Sequence, residues 1–392
     1  MVANPFLGVS FHWLGGLAAG SFYAPYRRVQ KWAWEVYWLV GGFFSWIIAP
    51  WVFALVLVPN PVAIIRQADG KTVFLAYLFG VLWGLGGLTF GLTMRYLGIG
   101  LGMAVALGYC AAVGTLTPPI LEHKFGELLS TASGIVTLLG VAVCLGGIGL
   151  AGLAGMSKEK ELSEEQKKAG VQEFNFTKGF AIATFSGVLS ACFAIGLYYG
   201  KPIMKIAGQV LEENNRSDLW SNLPVLMVVL LGGFTTNFIW CVLLNIKNGT
   251  GYQYFRQAPR QNSLPRGALL AAAVETPKGE VVIEVPATAV ATEAVPMLNN
   301  YLFSALAGVT WYLQFFFYSM GQMRMGKYEF SSWTLHMASI IIFSSLWGIA
   351  LREWRGSSRS TRMKLTLGLF VLILSTIVVG YGNYLGAQAA AQ

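Results

Sequence analysis

The chain has 392 residues, 55% hydrophobic and only 11% charged, with 13 tryptophans, so its polar surface is too small to cover a soluble domain of that size. The net charge of +9 is spread over the segments between apolar runs and not gathered into a patch, which argues against a nucleic-acid partner and makes the lipid bilayer the expected one. Its distribution, not its sum, carries the information.

Ten apolar runs, at about 5–26, 36–58, 72–94, 97–118, 132–154, 179–199, 219–245, 299–322, 329–351 and 365–386, each reach the length of a bilayer span at roughly 1.5 Å per residue. The expected fold class is an all-α polytopic membrane protein with ten transmembrane helices. No positive charge precedes the first run, so it reads as a retained helix and not a cleaved signal. With an external N-terminus, nineteen Lys and Arg fall in cytoplasmic loops and eight on the other side; the basic excess marks the cytoplasm, so both termini are predicted external.

The first run carries His12 among apolar residues, with Gly16, Ala19 and Gly20 small enough for a neighbouring backbone to come close. Pro25 ends it, Arg27, Arg28 and Lys31 anchor it at the surface, and Glu35 opens the second run. Glu35 is either an interfacial carboxylate neutralised by Arg27 or Lys31, or one half of a gate. Gly80, Gly84, Gly87 and Gly91 in the third run, continued by Gly98 and Gly102, form a small-residue packing row. Gly146, Gly147 and Gly149 are not a phosphate cradle, because no strand precedes them and no Lys-Ser/Thr follows.

The charged stretch 155–178 is expected to be a cytoplasmic linker between a first five-helix unit, 1–154, and a second, 179–392. Five is odd, so duplicated halves would be inverted. Gly41-Gly42-Phe43 recurs as Gly232-Gly233-Phe234, and Leu78-Phe79 with Gly84 recurs as Leu302-Phe303 with Gly308. Inverted repeats of this kind mark secondary transporters, with the substrate held near the midplane. Residues 246–298 are too polar to span and read as a long polar insert between the seventh and eighth helices; EVVIEVPATAV could pair as a hairpin, but a disordered segment is the preferred expectation.

Trp311, Gln314 and Tyr318 follow i, i+3, i+7 spacing and share one face of the eighth helix. Counted from the predicted ends, His12, Gln314 and His336 lie roughly 10–12 Å below the outer surface, in one layer, with Asn237 at a similar depth. Polar groups in hydrocarbon cost several kcal/mol unless they meet a partner or a wet cavity. Amides, imidazoles and a phenol with aromatic faces suit a neutral sugar better than an anion, since no Lys or Arg lies in that layer. Histidine is also the natural proton-coupling group, which singles out His12 and His336, because His123 falls in a loop. Glu329 is the carboxylate best placed to relay a proton, unless it merely pairs with Lys327 or Arg324.

No enzyme is expected: the two aspartates, Asp69 and Asp218, are in loops, and there is no HExxH or nucleophile elbow. Cys110, Cys144, Cys192 and Cys241 fall inside apolar runs without paired spacing, so neither a disulfide framework nor a metal site is indicated, and no cofactor is called for.

FYAP with its basic cluster and KWAWE, GLTMRYLG at 91–98, Lys201-Pro202, WYLQFFFY at 311–318, SWTLHM at 332–337 and Glu353-Trp354 together resemble the bacterial L-rhamnose/proton symporters of the drug/metabolite transporter superfamily. The resemblance covers nearly all the helices in order. It implies ten helices in two inverted five-helix repeats, residence in the bacterial inner membrane, and proton-coupled uptake of L-rhamnose or a related 6-deoxy sugar by alternating access. The chain departs from the pattern in the 246–298 insert and in GGLTF at 86–90, where a more polar segment is expected. The competing expectation is an exporter of amino acids or other metabolites built on the same architecture.

Overall fold

A computed structural model of the chain describes residues 3–161, 175–255, 273–275, 281–283 and 295–391. Every apolar run forms a helix there. The long helices among the described residues are α1 (Pro5–Ser21), α2 (Trp34–Leu57), α3 (Gly70–Leu97), α4 (Ile99–Leu121), α5 (Ala132–Glu161), α6 (Phe176–Tyr199), α7 (Leu223–Asn248), α8 (Met297–Arg324), α9 (Ser332–Ala350) and α10 (Arg359–Ala391). Eight of them, α2 to α7 with α9 and α10, are long and apolar enough to cross a membrane. The remaining two, α1 with 17 residues and α8 with 28, do not qualify by length and hydropathy. They are the helices that carry His12 and Gln314. Polar residues lower the hydropathy of α8, and α1 is buried against α8 and α9 along its length.

Local sequence explains where the helices begin and end. Asn4 Oδ1 accepts from the Leu7 amide at 3.1 Å with Pro5 at the first helical position, and Asn175 does the same for α6 through the Lys178 amide at 3.0 Å. Gly249, at φ +66°, takes the left-handed conformation that closes α7.

The segments between these helices add three details. The linker is shorter than 155–178, because α5 continues to Glu161 and α6 starts at Phe176; its centre lies outside the described residues. The loop before α7 contains an amphipathic helix, Lys201–Glu213, whose Ile203, Ala207 and Leu211 recur every four residues and are buried. Within 246–298, Ala273–Glu275 pairs antiparallel with Val281–Ile283, with Val274 opposite Val282. Of EVVIEVPATAV only Val281–Ile283 is described, and its partner strand precedes that segment instead of lying within it; the sequence between and around the two strands lies outside the described residues.

The packing follows a rule. α1 packs on α8 and α9, as α6 packs on α3 and α4; α2 packs on α8, as α7 packs on α3; and α5 lies against α10. Adding five to each helix number, counting on from ten to one, exchanges the first two pairs of contacts and returns the α5–α10 contact to itself. The glycine motifs sit at matching crossings: a Cβ on Gly308 would meet the Gly41 carbonyl, and a Cβ on Gly232 would meet Gly80. The second glycine of each pair seats an indole, since a Cβ on Gly42 would reach Trp46 Cζ3 at 2.6 Å and one on Gly233 would reach Trp83 Cζ3 at 2.5 Å. Here close approach, and not backbone freedom, requires glycine.

Candidate functional site

His12, Gln314, Tyr318 and His336 converge at one place between α1, α8 and α9. All four are buried, with both histidines at 0% exposure. The Tyr318 ring stands between the imidazoles, 5.4 Å from His12 and 5.2 Å from His336. Glycine makes this possible. A Cβ on Gly321 would lie 2.8 Å from the His12 ring, and one on Gly15 would lie 2.9 Å from the Gln314 carbonyl and 3.5 Å from His336 Nδ1. Both nitrogens of His12, both of His336 and the Gln314 amide nitrogen are buried without a hydrogen-bond partner among the described residues. Buried polar groups are paired in the large majority of cases, so five unpartnered atoms on three neighbouring helices are an exception that asks for an explanation. The helix-to-helix hydrogen bonds that would explain isolated polar residues are not what holds these side chains.

A cavity of about 310 Å³ leads to this cluster, with Tyr318 and Trp333 among its lining residues. The Trp333 ring lies 5.7 Å from Tyr318 and 5.8 Å from His336. At its outer end stand Glu122, Lys201 and Glu329. Lys201 Nζ is 2.6 Å from Glu122 Oε1 and 2.6 Å from Glu329 Oε1, and Glu122 also meets Lys124 at 2.8 Å. Burial by itself would raise the Glu122 carboxyl, but hydrogen bonds from Lys124 and Lys201 outweigh it and hold the group below the usual carboxylate range. Burial likewise opposes the Lys201 charge, and the two carboxylates reverse that and raise it. Glu329 is thus at the cavity mouth, but the partner expected for it was wrong: Lys327 pairs with Glu127 at 2.6 Å and Arg324 with Asp218 at 2.7 Å. The true partner is 128 positions away in sequence.

The other candidates lie apart. Asn237 is buried, yet its Oδ1 accepts from Trp38 Nε1 at 3.2 Å and its Nδ2 donates to the Gly233 carbonyl at 2.9 Å, which ties α7 to α2. Trp311 packs on Phe22 at 4.3 Å and Phe315 at 5.9 Å, deeper than Tyr318. Glu35 is at the opposite end of the molecule. Its carboxylate accepts from Asn248 at 3.0 Å and Thr250 at 2.7 Å, while Arg27, one of the cations expected beside it, pairs with Glu353 at 3.3 Å.

The family model described as L-rhamnose-proton symport protein (RhaT) matches residues 1–252 and 282–385. The chain belongs to this symporter family. The L-rhamnose-proton symporter of Cronobacter sakazakii is 35% identical over 377 residues, covering 96% of this chain and 97% of that protein. Those of Shigella dysenteriae and Salmonella paratyphi B are each 34% identical with the same coverage. These family members are named as transporters and not as enzymes. The internal unmatched stretch, 253–281, falls within the expected insert.

Sequence reasoning missed Lys201, Glu122 and Trp333 as residues that line this cavity. Trp333 precedes His336 by three residues on one helix face, which was a usable signal. For Lys201 the only signal was its place in the Lys201-Pro202 motif of the family.

Proposed function

We propose that this member of the L-rhamnose-proton symport family takes up L-rhamnose or a closely related 6-deoxy sugar together with a proton, by alternating access across the bacterial inner membrane. The observation that carries this is the pair of buried imidazoles with all four nitrogens unpartnered, set on either side of a tyrosine that lines a cavity. The names of the relatives supply the sugar. All ten helices span in this reading, α1 being short and α8 polar where they line the pathway. The plus-five rule in the packing supports two inverted five-helix repeats, 1–154 and 179–392. The basic excess of the loops supports external termini, so the cavity faces outward.

His336, Gln314 and Tyr318 bind the sugar, and His12 exchanges the coupling proton with His336 across the tyrosine ring. Glu329 passes the proton in from the cavity mouth, where Lys201 holds it in place. One proton moving inward through about 100 mV supplies roughly 2.3 kcal/mol, enough for around fiftyfold accumulation of a neutral sugar, so a single proton per sugar suffices. The test is to add L-rhamnose to lightly buffered, energy-depleted cells that express the protein. External alkalinisation that tracks labelled uptake is expected; an exporter of amino acids or other metabolites gives neither signal.

A further inference from the structure

Halfway along α2 the helix widens. Phe44–Ile48 is a π-turn in which the Ala49 amide donates to the Phe44 carbonyl five residues back. Pro50 follows directly and has no N–H to return to that turn. π-Turns inside α-helices are rare and concentrate at functional sites, and broken backbone at membrane depth is tolerated where it faces protein or a cavity. The turn presents Ser45 and Trp46, at 1% and 4% exposure, and neither Ser45 Oγ nor Trp46 Nε1 finds a hydrogen-bond partner among the described residues. Trp311 Nε1 on α8 is likewise buried without one.

These groups share a level. Ser45 and Trp46 are at the middle of the 24-residue α2, Trp83 at the middle of the 28-residue α3, and Trp311 at the middle of the 28-residue α8. Trp46 meets Trp83 edge-on at 6.4 Å, Trp83 meets Phe315 at 5.4 Å, and Phe315 meets Trp311 at 5.9 Å. Glycines 42 and 233, one from each repeated motif, make the room for the two facing indoles. Between this layer and the cavity stand Phe193 and Phe315, 4.6 Å apart, with Phe193 against Trp333 at 5.5 Å.

We propose that Trp46, presented by the π-turn, is a substrate-reading residue, and that with Ser45 and Trp311 it forms a second, deeper half of the sugar site. Indole N–H groups can only donate, so they read sugar hydroxyl or ring oxygens as acceptors, while the faces of Trp83 and Phe315 cover an apolar C–H face or a methyl group. That combination fits a 6-deoxyhexose, which has both. The His12–Tyr318–His336 layer admits the sugar from the cavity, and the Phe193–Phe315 pair separates the two layers until it does. The inference rests on the sugar-transport reading above.

The test uses full-length protein in proteoliposomes and Trp46→Phe, which keeps an aromatic ring and removes the N–H. Loss of one buried hydrogen bond raises KM for L-rhamnose by roughly tenfold, with kcat changed by less than about twofold and discrimination among the 6-deoxyhexose epimers reduced. Trp32→Phe is the control, since its buried Nε1 is equally unpartnered but its ring packs on Tyr301 at the far end of the molecule; its KM stays at the wild-type value. Ser45→Ala, the smaller change, raises KM in the same direction and decides the question if Trp46→Phe does not give monodisperse protein. Unchanged KM and epimer preference in these site variants, with wild-type protein transporting rhamnose normally, overturns the inference. Absence of rhamnose transport by the wild type overturns the functional reading instead.

Discussion

The two ends of this molecule are closed by different chemistry. At the end that holds both termini, ion pairs surround an open cavity: Lys201 with Glu122 and Glu329, Lys327 with Glu127, and Arg324 with Asp218. At the far end, besides the exposed Arg27–Glu353 pair, neutral side chains grip backbone. Asn300 accepts from the Gln30 amide at 3.0 Å and donates to its carbonyl at 2.8 Å; Gln253 accepts from the Ala33 amide at 2.7 Å; and Tyr301 donates to the Tyr254 carbonyl at 2.6 Å. Ion pairs that water can reach contribute little, whereas a buried backbone group stripped of its partner costs about 1–3 kcal/mol. The far end is therefore the firmer seal of the two.

The largest effect is expected where both ends meet. His336→Ala and Gln314→Ala each lower rhamnose uptake by roughly 100-fold, the size expected if two buried hydrogen bonds of about 1.4 kcal/mol are lost in the transport cycle. Immunoblots of membranes check that the protein is still there; near-normal uptake by both variants removes this cluster from the site. His12→Ala separates the two substrates: counterflow of labelled sugar persists, and accumulation driven by a pH gradient disappears. If accumulation survives, the coupling proton is not carried by His12.

The far seal is sharpened by Asn300→Ala, which strips both backbone groups of Gln30. Hydrogen exchange at the Gln30 amide accelerates by roughly 10- to 100-fold, corresponding to about 1–3 kcal/mol of local stability. Exchange at the wild-type rate means that another contact holds this end shut.

The smallest effect belongs to the charged end. Glu122 is held below its ordinary value of 4.5 and Lys201 above its ordinary value of 10.5. A lowered carboxylate stabilises the fold fully above its unfolded value and is lost as pH falls through the folded one; a raised lysine stabilises fully below its unfolded value and is lost as pH rises through the folded one. The cluster's contribution is thus flat between those two values. Lys201→Met removes a cation from both carboxylates, so the acid limb of thermal stability and of the pH–uptake profile moves to higher pH. A profile that stays in place shows that Lys201 does not set the state of the mouth.

Much of this was legible along the chain. The apolar runs were readable because in hydrocarbon each helix satisfies its own backbone, so length and hydropathy decide its existence. The convergence of His12, Gln314 and His336 was readable as depth, because rise per residue is constant in a helix. Direction around the axis was not. Asn237 lies at a suitable depth yet faces Trp38, and Trp311 shares a face with Tyr318 yet reaches a different layer. Lys327 and Arg324 beside Glu329, and Arg27 beside Glu35, pair with other carboxylates, because a loop charge pairs with whatever an adjoining helix end brings.

By itself, then, the sequence determined that the chain lives in a membrane as helices, which family it resembles, and which few polar residues the lipid would not tolerate unaided. Only the tertiary structure decided which of these residues face one another, that Lys201 bridges two glutamates at a cavity mouth, and that a π-turn before Pro50 aims Ser45 and Trp46 into the protein. The reason is physical: helix formation in lipid is a local matter of backbone satisfaction, while the rotation and crossing of helices depend on small residues such as Gly41 and Gly308 meeting across the whole length of the chain.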